Sequence, residues 1–209
     1  MAKIPKHGVR IAGEVTHSGD LTEVSAESEF ARSVRDLFRR AHPKRILETG
    51  TYLGNGTTTT IARTIQDLEL SDSRFFSLEV NPSNHQAARK NLAATGLLNR
   101  VELINTLSVP RDMLPTLDQI DEWTRRNIAY DDIFVDHAEH ERAKLYFQET
   151  HFESVPDDGL RKALKVLEWR PDFVLLDSGG HMGNVEFNYL LELLEGPCFI
   201  ALDDVFHIK

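Results

Sequence analysis

Five acids and one histidine carry the chemical interest of this chain, and each acid stands where an apolar run ends. Glu48 follows Arg45-Ile46-Leu47 and precedes the turn Thr49-Gly50-Thr51-Tyr52-Leu53-Gly54-Asn55-Gly56. A glycine-rich turn between strand and helix is where doubly wound sheets receive nucleotide-like ligands, because free amides and a helix N-terminus face the ligand there. An acid beside the turn alters that chemistry: it repels a pyrophosphate but orients an ammonium group or a water. Gly50 permits the tight turn, and Gly54 lets a ligand or the following helix approach closely. Thr57 to Thr60 either cap that helix or contact a carboxylate. Glu79 closes the run RFFSLE, 29 residues after Gly50, where a carboxylate would accept both hydroxyls of a ribose.

A second set lies later in the chain. Asp177 closes PDFVLLD, and Asp203-Asp204 closes CFIALDD. His181, in DSGGHMGN, is a candidate general base, with a loop or capping histidine as the plain alternative. His207 has a weaker claim. His137 and His140 in DHAEHE have the look of a metal pair, but a charge run of this kind is usually a solvated face.

The elements that must position these groups alternate. Apolar spacing predicts a helix over Ser25 to Ala41, ended by Pro43, with Ser25 and Ser28 as available caps. A strand at 45–49, a helix from Gly54 to about Leu68, a strand at 74–79 and a helix from Pro82 to Thr95 stopped by Gly96 follow. Strands at 101–104, 171–177 and 198–202 come next, the last two separated by a helix at 185–194. Near-continuous apolar strands alternating with helices imply a parallel sheet covered on both faces. The rhythm breaks once, at an insertion over 109–170 that is polar and charged before resuming as a helix at Leu160 to Trp169. It is either a surface helical insertion or a lid over the carboxyl edge of the sheet.

The chain of 209 residues is expected to form one domain. Its net charge of −9 argues against nucleic acid or an anionic membrane as partner. One cysteine, Cys198, excludes an internal disulfide and suits a reducing compartment. No early apolar segment has the length of a signal peptide, so the expected location is cytoplasmic.

LETGTYLGNGTT, FFSLEVNPSNHQAARKNLAATGLLNRVELINTLS and PDFVLLDSGGH with CFIALDDV together resemble class I S-adenosylmethionine-dependent methyltransferases. More narrowly they resemble the catechol/caffeoyl-CoA O-methyltransferase-like branch. The resemblance implies a Rossmann-like sheet of order 3-2-1-4-5. It implies that Glu48, Gly50 and Gly54 line the methionine end of the cofactor, that Glu79 holds the ribose and that Ser108 sits by the adenine. Thr51 and Thr57 are further cofactor-binding candidates, with a cap or turn role as the alternative for the threonines and Ser108. In that strand order Asp177, Asp203 and Asp204 converge, and close carboxylates repel unless protonated or bound to a cation. Metal-dependent members of the branch hold a divalent cation there, so magnesium or another divalent ion is expected at these three acids. Neighbouring strand residues point oppositely, so Asp203 and Asp204 both ligate only if the strand turns. The catalytic candidates are then His181 and Asp177.

Two features depart from the family. The insertion replaces a much shorter link, and the sequence stops at Lys209 where the family adds a helix and two strands. A cofactor-binding domain without catalysis and a metal-independent methyltransferase therefore stay open beside the leading expectation, metal-assisted O-methylation. A nicotinamide dehydrogenase is disfavoured by the missing G-x-G-x-x-G. The expected partner is a small hydroxylated acceptor, with a homodimer also admitted.

Overall fold

The computed structural model describes residues 28–127 and 139–203. Helix α1 (Glu29–Ala41) is opened by Ser28, whose Oγ accepts from the Ala31 amide at 3.0 Å, and it buries Ala31, Val34 and Phe38. The other expected cap, Ser25, lies outside the described residues. His42 ends α1 in the left-handed region at φ 46°. Strand β1 (Arg45–Thr49) follows, then α2 (Thr57–Asp67), β2 (Arg74–Glu79), α3 (Pro82–Ala94) and β3 (Glu102–Asn105). Two insertion helices come next, α4 (Leu117–Asn127) and α5 (Glu139–Thr150). The chain closes with α6 (Gly159–Val166), β4 (Phe173–Leu176), α7 (Met182–Leu193) and β5 (Phe199–Leu202).

The five strands form one parallel sheet in the order β3-β2-β1-β4-β5, as the sequence leads one to expect. Strand alternation divides the core into two layers. Ile46, Phe75, Phe173 and Leu175 pack on one face with Val34 and Phe38 of α1, Ile61 and Ile65 of α2 and Leu92 of α3. Leu47, Phe76, Leu78, Val174 and Leu176 pack on the other with Leu160 and Leu164 of α6 and Tyr189 and Leu190 of α7. Helices therefore cover both faces.

Several boundaries differ from the sequence expectation for local reasons. Helix α2 begins at Thr57, three residues after Gly54, because Gly54 sits at φ +71° and Gly56 is the cap residue. Helix α6 stops at Val166, since Glu168 and Trp169 both take left-handed conformations.

The insertion is closed at its base. Leu107 donates to Pro156 at 2.8 Å, Asp158 to Val109 at 3.0 Å, and Gly159 to Leu107 at 2.9 Å. The excursion thus leaves and returns through one backbone-bonded stem. Its helices carry a small core of their own, Ile120, Ala143 and Tyr146 with Phe147 against them. Among the described residues no helix is long and apolar enough to cross a membrane.

Candidate functional site

The expected acids gather at the carboxyl edge of the sheet. Strand alternation turns Glu48 toward the face that carries Ile46, under α2. Its carboxylate is fully buried, and Oε2 accepts from Thr58 Oγ1 at 2.7 Å and Ser77 Oγ at 2.5 Å. Oε1 is buried with no hydrogen-bond donor among the described residues. Burial pushes this acid up to about 7, against the pull of the Ser77, Thr58 and Thr57 hydroxyls; the charge of Glu79 adds to the rise.

Glu79 closes β2, also buried. Oε2 accepts from the Tyr52 amide at 2.7 Å and Oε1 from the Asn81 amide at 2.8 Å. Burial lifts it to about 7 as well, opposed by those two amides and helped by the charge of Glu186. The turn between the acids is shaped by its glycines. At φ +82°, Gly50 has no room for a side chain: a Cβ there would stand 2.2 Å from the Asp177 carbonyl oxygen. At Gly54 a Cβ would meet Ala88 Cβ at 3.0 Å, so the close approach this glycine allows is that of α3. Thr51 is buried with its hydroxyl 2.5 Å from Ser77 Oγ.

The threonine row does contact carboxylates, and they belong to the protein. Thr57 Oγ1 donates to Asp177 Oδ2 at 2.9 Å, and Thr58 to Glu48 as above. The cap residue itself, Gly56, makes no side-chain cap bond. Ser108 is buried in the stem, where its carbonyl accepts from the Leu160 amide at 2.8 Å at the start of α6.

Asp177 and Asp203 extend the parallel ladder one residue beyond their strands. The Asp177 amide donates to Thr49 O at 3.1 Å and the Asp203 amide to Leu176 O at 3.1 Å, which sets the two acids side by side. Asp204, His137 and His207 lie outside the described residues, as does the side chain of His140. Among the described residues no three His, Cys, Asp or Glu side chains are placed to hold a metal ion.

His181 is the residue that opens α7. It is 6% exposed, and both ring nitrogens are buried without a hydrogen-bond partner among the described residues. Burial, and then the charge of His151, lowers it to about 4. Its ring packs edge-on against Tyr146 of α5, centroids 6.2 Å apart, and the Tyr146 ring also covers Gly180. Beyond α5 a cavity of about 440 Å³ opens between it and residues 111–118, lined among others by Arg111, Leu114, Phe147 and His151.

Sequence reasoning missed three participants. Glu186 of α7 is buried and accepts from Thr49 Oγ1 at 2.7 Å and Ser178 Oγ at 2.8 Å. The signal was present: an acid shares the stripe of Met182, Gly183, Tyr189 and Leu190 that α7 buries. Ser77 resembled any strand residue, and Tyr146 lies in a segment whose docking no periodicity reveals.

No family model matches the sequence, and no curated protein matches it. Solved structures do share its chain path in part. One is the O-methyltransferase TomG from Streptomyces achromogenes, in complex with SAM: 16% identity, TM-score 0.47, covering 88% of this chain and 58% of that one. An O-methyltransferase from Bacillus cereus in complex with SAH shows 18% identity and TM-score 0.47, over 86% of this chain and 57% of its own. The SAH-bound methyltransferase PaMTH1 of Podospora anserina shows 19% identity and TM-score 0.47, over 91% and 58%. The chain spans less than two thirds of the length of each of these three proteins.

Proposed function

We propose that the chain binds S-adenosylmethionine across the Glu48 turn and catalyses methyl transfer to a hydroxyl oxygen of a small acceptor. One observation carries the reading: Glu48 holds a fully buried carboxylate oxygen without a donor, beside a second buried acid, Glu79. Carboxylates kept from water favour a cationic partner, whose charge offsets their desolvation. S-adenosylmethionine, when bound, would supply an ammonium group for this edge and a methyl group on a positively charged sulfur. Glu79, fixed by the Tyr52 and Asn81 amides, keeps a lone pair on each oxygen for the two ribose hydroxyls. Gly50, Thr51, Gly54 and Thr57 shape the methionine end, and Ser108 the adenine end.

His181 is neutral across the physiological range, so one ring nitrogen is free to take the proton of the acceptor hydroxyl. A base this weak takes a proton readily only from an acidified hydroxyl. Asp177, Asp203 and Asp204 are the residues that would hold a divalent cation, whose chemistry is to supply that acidity. Tyr146 brings the insertion over His181, which supports a lid on the acceptor side. The net charge of −9 favours a small metabolite over nucleic acid.

Calorimetric titration with S-adenosylhomocysteine and with NAD tests the cofactor class; the first is expected to bind and the second not. No heat from S-adenosylhomocysteine would sink the proposal. For the acceptor side, transfer that fails in chelator and recovers with magnesium supports the cation. Transfer that resists chelator but dies in His181→Ala gives activation to the histidine alone.

A further inference from the structure

We propose that Glu186 is a positioning residue that locks the glycine turn after β1 to the loop carrying Asp177 and His181, holding the cofactor and acceptor sides at a fixed spacing. This rests on the function proposed above. Glu186 stands on α7 at 1% exposure and divides its carboxylate between two elements. Oε2 takes the hydroxyl of Thr49, the residue before Gly50, and Oε1 takes the hydroxyl of Ser178, the residue after Asp177. The two anchored points already touch through their backbones. The Asp177 amide donates to Thr49 O at 3.1 Å, and the space of a Gly50 side chain is filled by the Asp177 carbonyl.

Backbone contact alone fixes distance but leaves each loop free to hinge about it. A side chain that grips both loops from α7 adds the third point that fixes orientation. A carboxylate suits the task because each oxygen accepts independently, and a hydroxyl bonded to an ionised acceptor is held more strongly than one bonded to a neutral group. Glutamine keeps the shape and can still engage both hydroxyls, once as acceptor and once as donor, with weaker bonds. Leucine keeps only the volume.

Amide hydrogen exchange in the free protein, with S-adenosylhomocysteine calorimetry beside it, tests the clamp. Glu186→Leu is expected to speed exchange at residues 50–52 and 178–180 together and to weaken S-adenosylhomocysteine by about tenfold, the scale of one lost charge-assisted hydrogen bond. Glu186→Gln should restore most of both. Thr49→Val removes one grip only and, at a fully buried position, keeps the side-chain shape; it should still loosen residues 178–180 across the clamp. Exchange that rises only in the mutated turn, with unchanged affinity, overturns the proposal. Failure of the wild-type protein to bind S-adenosylhomocysteine would refute the cofactor reading instead, while the exchange pattern would still decide the clamp.

Discussion

The two edges of the sheet carry the same kind of side chain in opposite circumstances. At the amino edge, Asp172 accepts from the Lys44 and Arg45 amides at 2.8 and 2.9 Å and from the Arg45 guanidinium at 2.9 Å. Partial burial pushes its carboxyl up, but these donors outweigh it and hold it below the ordinary range. At the carboxyl edge, burial outweighs the hydroxyls held by Glu48 and the amides held by Glu79, and both rise to about 7. One edge is satisfied by its own chain. The other, although its acids accept hydroxyls and amides of the chain, keeps them raised, and it is the edge at which the proposed cofactor would bind. Burying carboxylates whose donors do not offset their desolvation is destabilising, and such perturbed acids are candidates for a ligand site.

The largest expected break in this contrast is Glu79→Ala. Losing a carboxylate bonded to two ribose hydroxyls should cost about 2–3 kcal/mol of S-adenosylhomocysteine affinity, measured by titration calorimetry. An unchanged affinity would remove Glu79 from the ribose.

The pH dependence of folding sharpens the contrast next. Glu48 and Glu79 have folded pKa values above their unfolded ones, so from about pH 4.5 to 7 the native state binds more protons and stability falls as pH rises. His181 runs the other way: with its value lowered to about 4, the unfolded state binds more protons from about pH 4 to 6.5, and stability rises with pH there. Thermal melts of Glu48→Gln should show a flatter fall and a higher midpoint above pH 7, while S-adenosylhomocysteine binds more weakly. A variant less stable but unchanged in binding would mean that Glu48 serves the fold and not a ligand.

The smallest effect belongs to the satisfied edge. Asp172→Asn should lower stability by about 1 kcal/mol, allowing for screening of a partly exposed pair, and leave S-adenosylhomocysteine affinity untouched. Denaturant melts and calorimetry on one preparation decide it.

How much of this the sequence carried depends on what each feature requires. Helix placement and a parallel sheet were legible because strand–helix alternation has a strong period, the sheet order only through the family resemblance, and Glu48, Glu79 and Asp177 because each ends an apolar run. The direction in which Gly50 and Gly54 face was not, since it depends on β4 and on α3, each distant in the chain. Glu186 escaped because a buried acid is recognised by its partners, Thr49 and Ser178, more than 100 residues apart from one another. Tyr146 escaped for a similar reason: its neighbours Gly180 and His181 belong to a later element. Asp203 was found at its strand end, whereas Asp204 lies outside the described residues.

The pairing of β1 with β4 has a consequence in time. Ile46 lies beside Phe173, so the central seam of the sheet joins segments 127 positions apart, as the bond from the Arg45 amide to Asp172 also does. Strands β1, β2 and β3 with α1 to α3 are contiguous in the chain, and their contacts close short loops. The seam closes a long one and is entropically the slower event. During synthesis the first three strands leave the ribosome well before β4. The nascent chain therefore carries Glu48, Glu79 and the glycine turn as a half-built cleft with an open strand edge. Asp177 can close over Gly50 only after β4 has been made.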